Sequence, residues 1–100
     1  MPDPTHVFKA SRLTRGNFWF PVRIEVSAER VVRIQPRLIG ANEESIPISK
    51  VASVNLATGL LFSDIRIDSS GGSNPILSHG HRNADARRIR DLIESYQKQA

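Results

Sequence analysis

The chain has no cysteine, which removes disulfides as a source of stability and thiolates as nucleophiles or metal ligands. It also lacks any long apolar run. The longest stretch, near Leu56 to Phe62, is far shorter than the roughly 20 residues a membrane-spanning helix needs. The opening Met-Pro-Asp-Pro-Thr-His carries neither the basic nor the apolar region of a secretory signal, so a cytoplasmic protein is expected. Aromatic residues are few: one Trp, one Tyr and four Phe in 100 residues. Glycine and proline, six of each, are absent from residues 83 to 99. No linker, repeat or low-complexity segment divides the chain, and 100 residues suit one domain with its own core.

What is present is a train of short alternating segments followed by one helical one. Phe18 to Ser27 alternates strictly, with Phe18, Phe20, Val22, Ile24 and Val26 on one face. Val32, Ile34, Pro36 and Leu38 continue the same phase. Antiparallel partners share a face. A three-residue connection, Ala28-Glu29-Arg30, would therefore set Val26 opposite Val32, Ile24 opposite Ile34, Phe20 opposite Leu38, and Glu25 opposite Arg33 on the outside. Pro21 and Pro36 cannot donate to a ladder, so an edge or bulge is expected beside them. Further strands are expected over Glu43–Ile48, Val51–Leu56, Leu61–Asp68 and Asn74–Ser78, with a weaker one in His6–Leu13. Gly40-Ala41-Asn42, Thr58-Gly59 and Ser69 to Ser73 read as turns. Six or seven strands at this spacing predict a sandwich or barrel. Residues 1–5 are expected to dangle.

The segment 83–99 predicts a helix. Asn83 suits an N-cap and Asp85 the first turn. Ala86, Ile89, Leu92, Ile93 and Tyr96 form one apolar stripe, which must bury against the sheet. Arg87–Asp91 and Arg90–Glu94 are spaced for ion pairs on the other side.

Chemistry-bearing motifs are sparse. His79-Gly80-His81 has a spacing that can place two imidazoles together, but a structural zinc site takes four ligands and only His6 remains. No metal or other cofactor is expected. No serine lies in a G-x-S-x-G elbow, and Gly71-Gly72-Ser73 lacks the lysine and helix of a phosphate loop. An enzyme is not expected. The net charge is +4, and 11 of the 14 basic residues are arginine, scattered along the chain with no run longer than Arg87-Arg88.

Several segments together carry a resemblance: Arg23 to Ile34, Glu44-Ser45-Ile46-Pro47-Ile48-Ser49-Lys50-Val51, Gly59, Asp64-Ile65-Arg66-Ile67, and Asn83-Ala84-Asp85-Ala86 to Ile93. Over about 18 to 96 the chain resembles the bacterial pleckstrin-homology-like (PH-like) domains. The resemblance implies a bent, partly open barrel of about seven antiparallel strands, capped by the C-terminal helix. It also implies a binding module, since classical relatives hold phosphoinositide head groups, phosphotyrosine peptides or proteins, and some bacterial ones resemble ring-forming homo-oligomers. The basic cluster of the lipid-binding members has an R-x-R spacing at the first hairpin that this chain lacks there.

Two function classes follow. In the first, the chain is a non-enzymatic module that binds protein, itself included, through a sheet edge or face; Trp19, Pro21, Ile39 and Leu60 fall off the buried phase and are the expected contact residues. In the second, a dispersed basic surface of Lys9, Arg12, Arg15, Arg23, Arg33 and Arg37 binds an anion, either acidic lipid or nucleic acid.

Overall fold

A computed structural model describes residues 4–71 and 74–99. Two antiparallel sheets and one helix make the fold. The first sheet has the order β1 (His6–Lys9), β2 (Arg23–Val26), β3 (Arg30–Pro36), β4 (Ala41–Pro47). A short 3-10 turn, Ile48–Lys50, leads into the second, which has the order β5 (Val51–Thr58), β6 (Phe62–Ser69), β7 (Ile76–Arg82). Helix α1 spans Asn83–Gln99. The result is mainly β, a partly open sandwich of seven strands capped by the helix rather than a closed barrel, as the strand count and closing helix predict. Of the expected turns and termini, residues 72–73 and 1–3 lie outside the described residues.

The helix buries the predicted stripe. Ala86, Ile89, Leu92, Ile93 and Tyr96 are its five buried residues. They join Ile24, Val26, Val31 and Ile46 of the first sheet and Ile65, Ile67 and Ile76 of the second in one core. The helix is also tied at both ends. The Asn83 amide donates to the carbonyls of Gly59 (3.1 Å) and Leu60 (3.3 Å) in the β5–β6 turn, while its Oδ1 accepts from Ser63 (2.6 Å). Near the other end, Gln97 Nε2 donates to the carbonyls of Val51 (2.8 Å) and Ile48 (3.2 Å). Asn83 thus stands where a cap was expected, but its side chain fastens the helix to a turn instead of capping it. The expected i, i+4 ion pairs are also replaced, since Arg90 meets the neighbouring Asp91 at 3.3 Å.

The β2–β3 register differs from the expectation. Val26 pairs with Val31, Glu25 with Val32, Ile24 with Arg33 and Arg23 with Ile34. The cause is the turn. Ser27 N–H donates to the Arg30 carbonyl (3.0 Å), and the Ser27 hydroxyl accepts from the backbone of Glu29 (3.4 Å) and Arg30 (3.3 Å). Those bonds close a connection of two residues rather than three, and a one-residue slip moves every side chain of β3 to the other face. Arg33 now shares a face with Ile24 and pairs with Glu44 (2.9 Å), and Glu25 pairs with Arg23 (3.0 Å). The expected Glu25–Arg33 pair does not form.

The same register explains why β2 starts only at Arg23. Extended two steps further, it would set Pro21 against Pro36, and neither residue has an N–H to donate. The ladder ends, and Phe18, Phe20 and Leu38 leave the core phase that alternation assigned them. All three are exposed. Leu61, also expected inside, sits exposed in the turn before β6.

Candidate functional site

The residues between β1 and β2 form a compact loop held onto β7 by its own polar groups. Ala10 N–H donates to Val22 O (2.8 Å), and Ser11 N–H to Gly80 O (2.9 Å). Asn17 is the keystone. It is buried, its amide donates to Thr14 Oγ1 (2.9 Å) and His79 O (2.8 Å), and its Oδ1 accepts from Val22 N–H (3.0 Å). Gly80 makes the close approach feasible. Its φ is +88°, and a Cβ there would lie 2.1 Å from Thr14 Oγ1 and 2.6 Å from Thr14 Cβ.

With its base fixed, the loop presents Phe18, Trp19 and Phe20 to solvent. Trp19 is 78% exposed, and its ring meets that of Phe18 edge-on at 4.8 Å. The three aromatics border a hollow with Pro36 and Leu38, the latter from the β3–β4 turn. Ile39, the next residue of that turn, is 90% exposed. The turn is a tight one, closed by Arg37 N–H to Gly40 O (3.1 Å), with Gly40 at φ +77°. Two loop tips therefore build one apolar end of the molecule. Single exposed apolar side chains are ordinary, but a cluster of this kind marks an interaction surface.

Three of the four expected contact residues belong to this end. Trp19 and Pro21 share a hollow, and Ile39 adjoins Leu38. Leu60 stands apart, in the β5–β6 turn against the start of the helix. Phe18, Phe20 and Leu38 complete the patch. The two prolines, which cannot donate to a ladder, were the available signal for them, because a strand that cannot be paired cannot keep its alternate residues buried.

The six expected anion contacts divide. Lys9, Arg12 and Arg23 line a hollow beside Trp19, Phe20 and Pro21, and Arg37 borders the hollow of Phe18 and Leu38. Arg15 is exposed in the same loop. Arg33 is elsewhere, half-buried against Glu44 and facing the second sheet. Among the described residues, Lys9, Arg12, Arg15 and Arg37 have no carboxylate at ion-pair distance.

The two neighbouring histidines do not converge. Gly80 sits at a register shift where β7 carries one extra residue against β6, so His79 is exposed and His81 fully buried. His79 Nδ1 meets Asp64 Oδ1 at 2.5 Å. His81 Nε2 meets the Ser78 hydroxyl at 2.6 Å, and its Nδ1 has no partner. Burial pushes the His81 pKa down to about 4; Asp64 opposes the shift, and His79 and Arg33 add to it. No group of three or more metal-ligating side chains occurs among the described residues. No helix of the described chain is long and apolar enough to cross a membrane. No family model matches the chain, and no curated protein matches it.

Proposed function

We propose that the chain is a PH-like interaction module without catalytic activity, and that its apolar end binds protein, a second copy of the chain first of all. The observation that carries this reading is the joining of two loop tips into one patch: Phe18, Trp19 and Phe20 from one, Leu38 and Ile39 from the other. Trp and Arg are the residue types that dominate binding energy at protein interfaces, and an apolar centre with a polar rim is the usual anatomy. Here Arg12, Arg23 and Arg37 supply such a rim. A single patch that pairs with itself gives a closed two-fold dimer.

Light scattering against concentration tests it. The chain is expected to rise toward twice its monomer mass, and Trp19→Glu and Ile39→Glu are each expected to hold it monomeric with unchanged melting temperature. A wild-type monomer at every concentration would overturn self-association.

The unpaired cations favour a second reading, an acidic lipid surface. Lys9, Arg12, Arg15 and Arg37 stand around an aromatic tip without carboxylate partners. Aromatic side chains with basic neighbours suit a membrane interface, and each basic residue near an anionic surface contributes about 1 kcal/mol. Co-sedimentation with phosphatidylserine vesicles separates the two readings. Lipid binding would fall steeply with salt, whereas an apolar dimer would not.

A further inference from the structure

The register of the first sheet decides which side chains share its outer face. Ile24 and Val26 of β2 point into the core, so Arg23 and Glu25 point away from it. Pairing then lays one row across all four strands on that face: Lys9, Arg23, Ile34 and Glu43. The row is polarised. Lys9, on edge strand β1, is exposed, and among the described residues no carboxylate lies at ion-pair distance from it. Arg23 beside it is taken by Glu25 at 3.0 Å, and Ile34 is buried. Glu43, on edge strand β4, is exposed, and among the described residues no basic group lies at ion-pair distance from it. Three strand spacings, roughly 14 Å, keep the two free charges from satisfying each other.

This face is continuous with the apolar end. Lys9, Arg23 and Pro36 line a hollow of about 330 Å³ with Trp19, Phe20 and Pro21. One row further from the tips, Val7 is 51% exposed although it lies on a strand. Both apolar tips also leave the sheet at the same end. The loop with Phe18, Trp19 and Phe20 joins Lys9 to Arg23, and the turn with Leu38 and Ile39 joins β3 to β4 beyond Pro36 and Ala41.

Two copies meeting by this face can be related by a two-fold axis that runs across the strands or along them. An axis across the strands sets Lys9 on Lys9 and Glu43 on Glu43, and it sends the apolar tips to opposite ends. An axis along the strands sets Lys9 of each copy on Glu43 of the other. It also brings the 18–20 loop of each copy to the 38–39 turn of the other. Charge and apolar surface therefore select the same axis, and it yields the aligned arrangement of packed sheets.

We propose that a second copy packs on the outer face of the first sheet about a two-fold axis parallel to the strands, with Lys9 of each copy paired to Glu43 of the other. This rests on the self-association reading and adds its geometry and its charged contacts.

The test is sedimentation equilibrium of charge-reversed chains at low salt. Lys9→Glu and Glu43→Lys each turn two attractions into two repulsions, and each alone is expected to weaken the dimer at least about tenfold. An equimolar mixture of the two variants regains opposite charges at both contacts and is expected to dimerise like the wild type. The double variant, Lys9→Glu with Glu43→Lys, should do the same on its own. A dimer indifferent to either single reversal, or one that neither the mixture nor the double variant restores, would overturn this geometry and leave self-association standing. A wild type that stays monomeric would remove self-association and this geometry with it.

Discussion

At the scale of single residues, Gly80 and Asn17 do more for the candidate surface than the aromatics that form it. The aromatic tip can stand in solvent only because its base is locked, and the lock is a backbone carbonyl and an amide against a residue with no side chain. Gly80→Ala combines a positive φ with a Cβ driven into Thr14. It is expected to cost about 2 kcal/mol or more and to release the loop, read by thermal unfolding and by faster proteolysis between Ser11 and Pro21. His81 makes a pH prediction. Its pKa is lowered to about 4 on folding from an ordinary value of 6.5. The unfolded chain therefore binds the extra proton in that window, and stability falls as pH drops from 6.5 toward 4, by up to about 3 kcal/mol. Denaturant midpoints of the wild type and His81→Gln should converge as pH falls through that window; parallel curves would contradict the assignment. Neither residue role was legible from the sequence. His79-Gly80-His81 read as one polar strand end, because a period-two reading has no place for the bulge that buries one imidazole and exposes the other.

At the scale of elements, the span and buried face of the helix were legible, its cap and ion pairs were not, and the first hairpin was only half so. The helix obeys a local rule: seventeen residues without Gly or Pro, with apolar residues on one face, can bury only that face. Ile89→Ala and Leu92→Ala are each expected to lose about 2–5 kcal/mol, Ile89 the more, since it is fully buried while Leu92 retains some exposure. Chemical denaturation measures both. The β2–β3 hairpin depends instead on one serine hydroxyl choosing a two-residue turn over a three-residue one. Alternation is blind to that choice, because Val31 and Val32 fit a core phase equally well. The slip has consequences well beyond the turn. It faces Pro21 with Pro36, ends the ladder, turns Phe18, Phe20 and Leu38 outward, and sends Arg33 toward the second sheet. Most of the candidate surface thus follows from one local hydrogen-bond pattern that the sequence left open.

At the scale of the whole molecule, the helix and two sheets enclose one apolar core, so binding falls to surfaces, and the surfaces divide by character. One end is aromatic and basic, made of two loop tips; the second sheet instead carries exposed ion pairs, Asp64 with His79 and Arg66 with Asp68. Composition foretold part of this division: a net charge of +4 spread over scattered arginines gives a rim around an apolar patch, not a continuous polyanion track. The placement of Trp19 at the centre of that end also supplies a direct probe. It is the only tryptophan in the chain, so its emission reports this surface alone. The central claim is that the apolar end is covered by a second copy. Emission from the dilute protein should match an exposed indole, as its 78% exposure requires, and should move to shorter wavelength as concentration rises, with Ile39→Glu abolishing the move. A water-like emission that stays fixed at every concentration would contradict it.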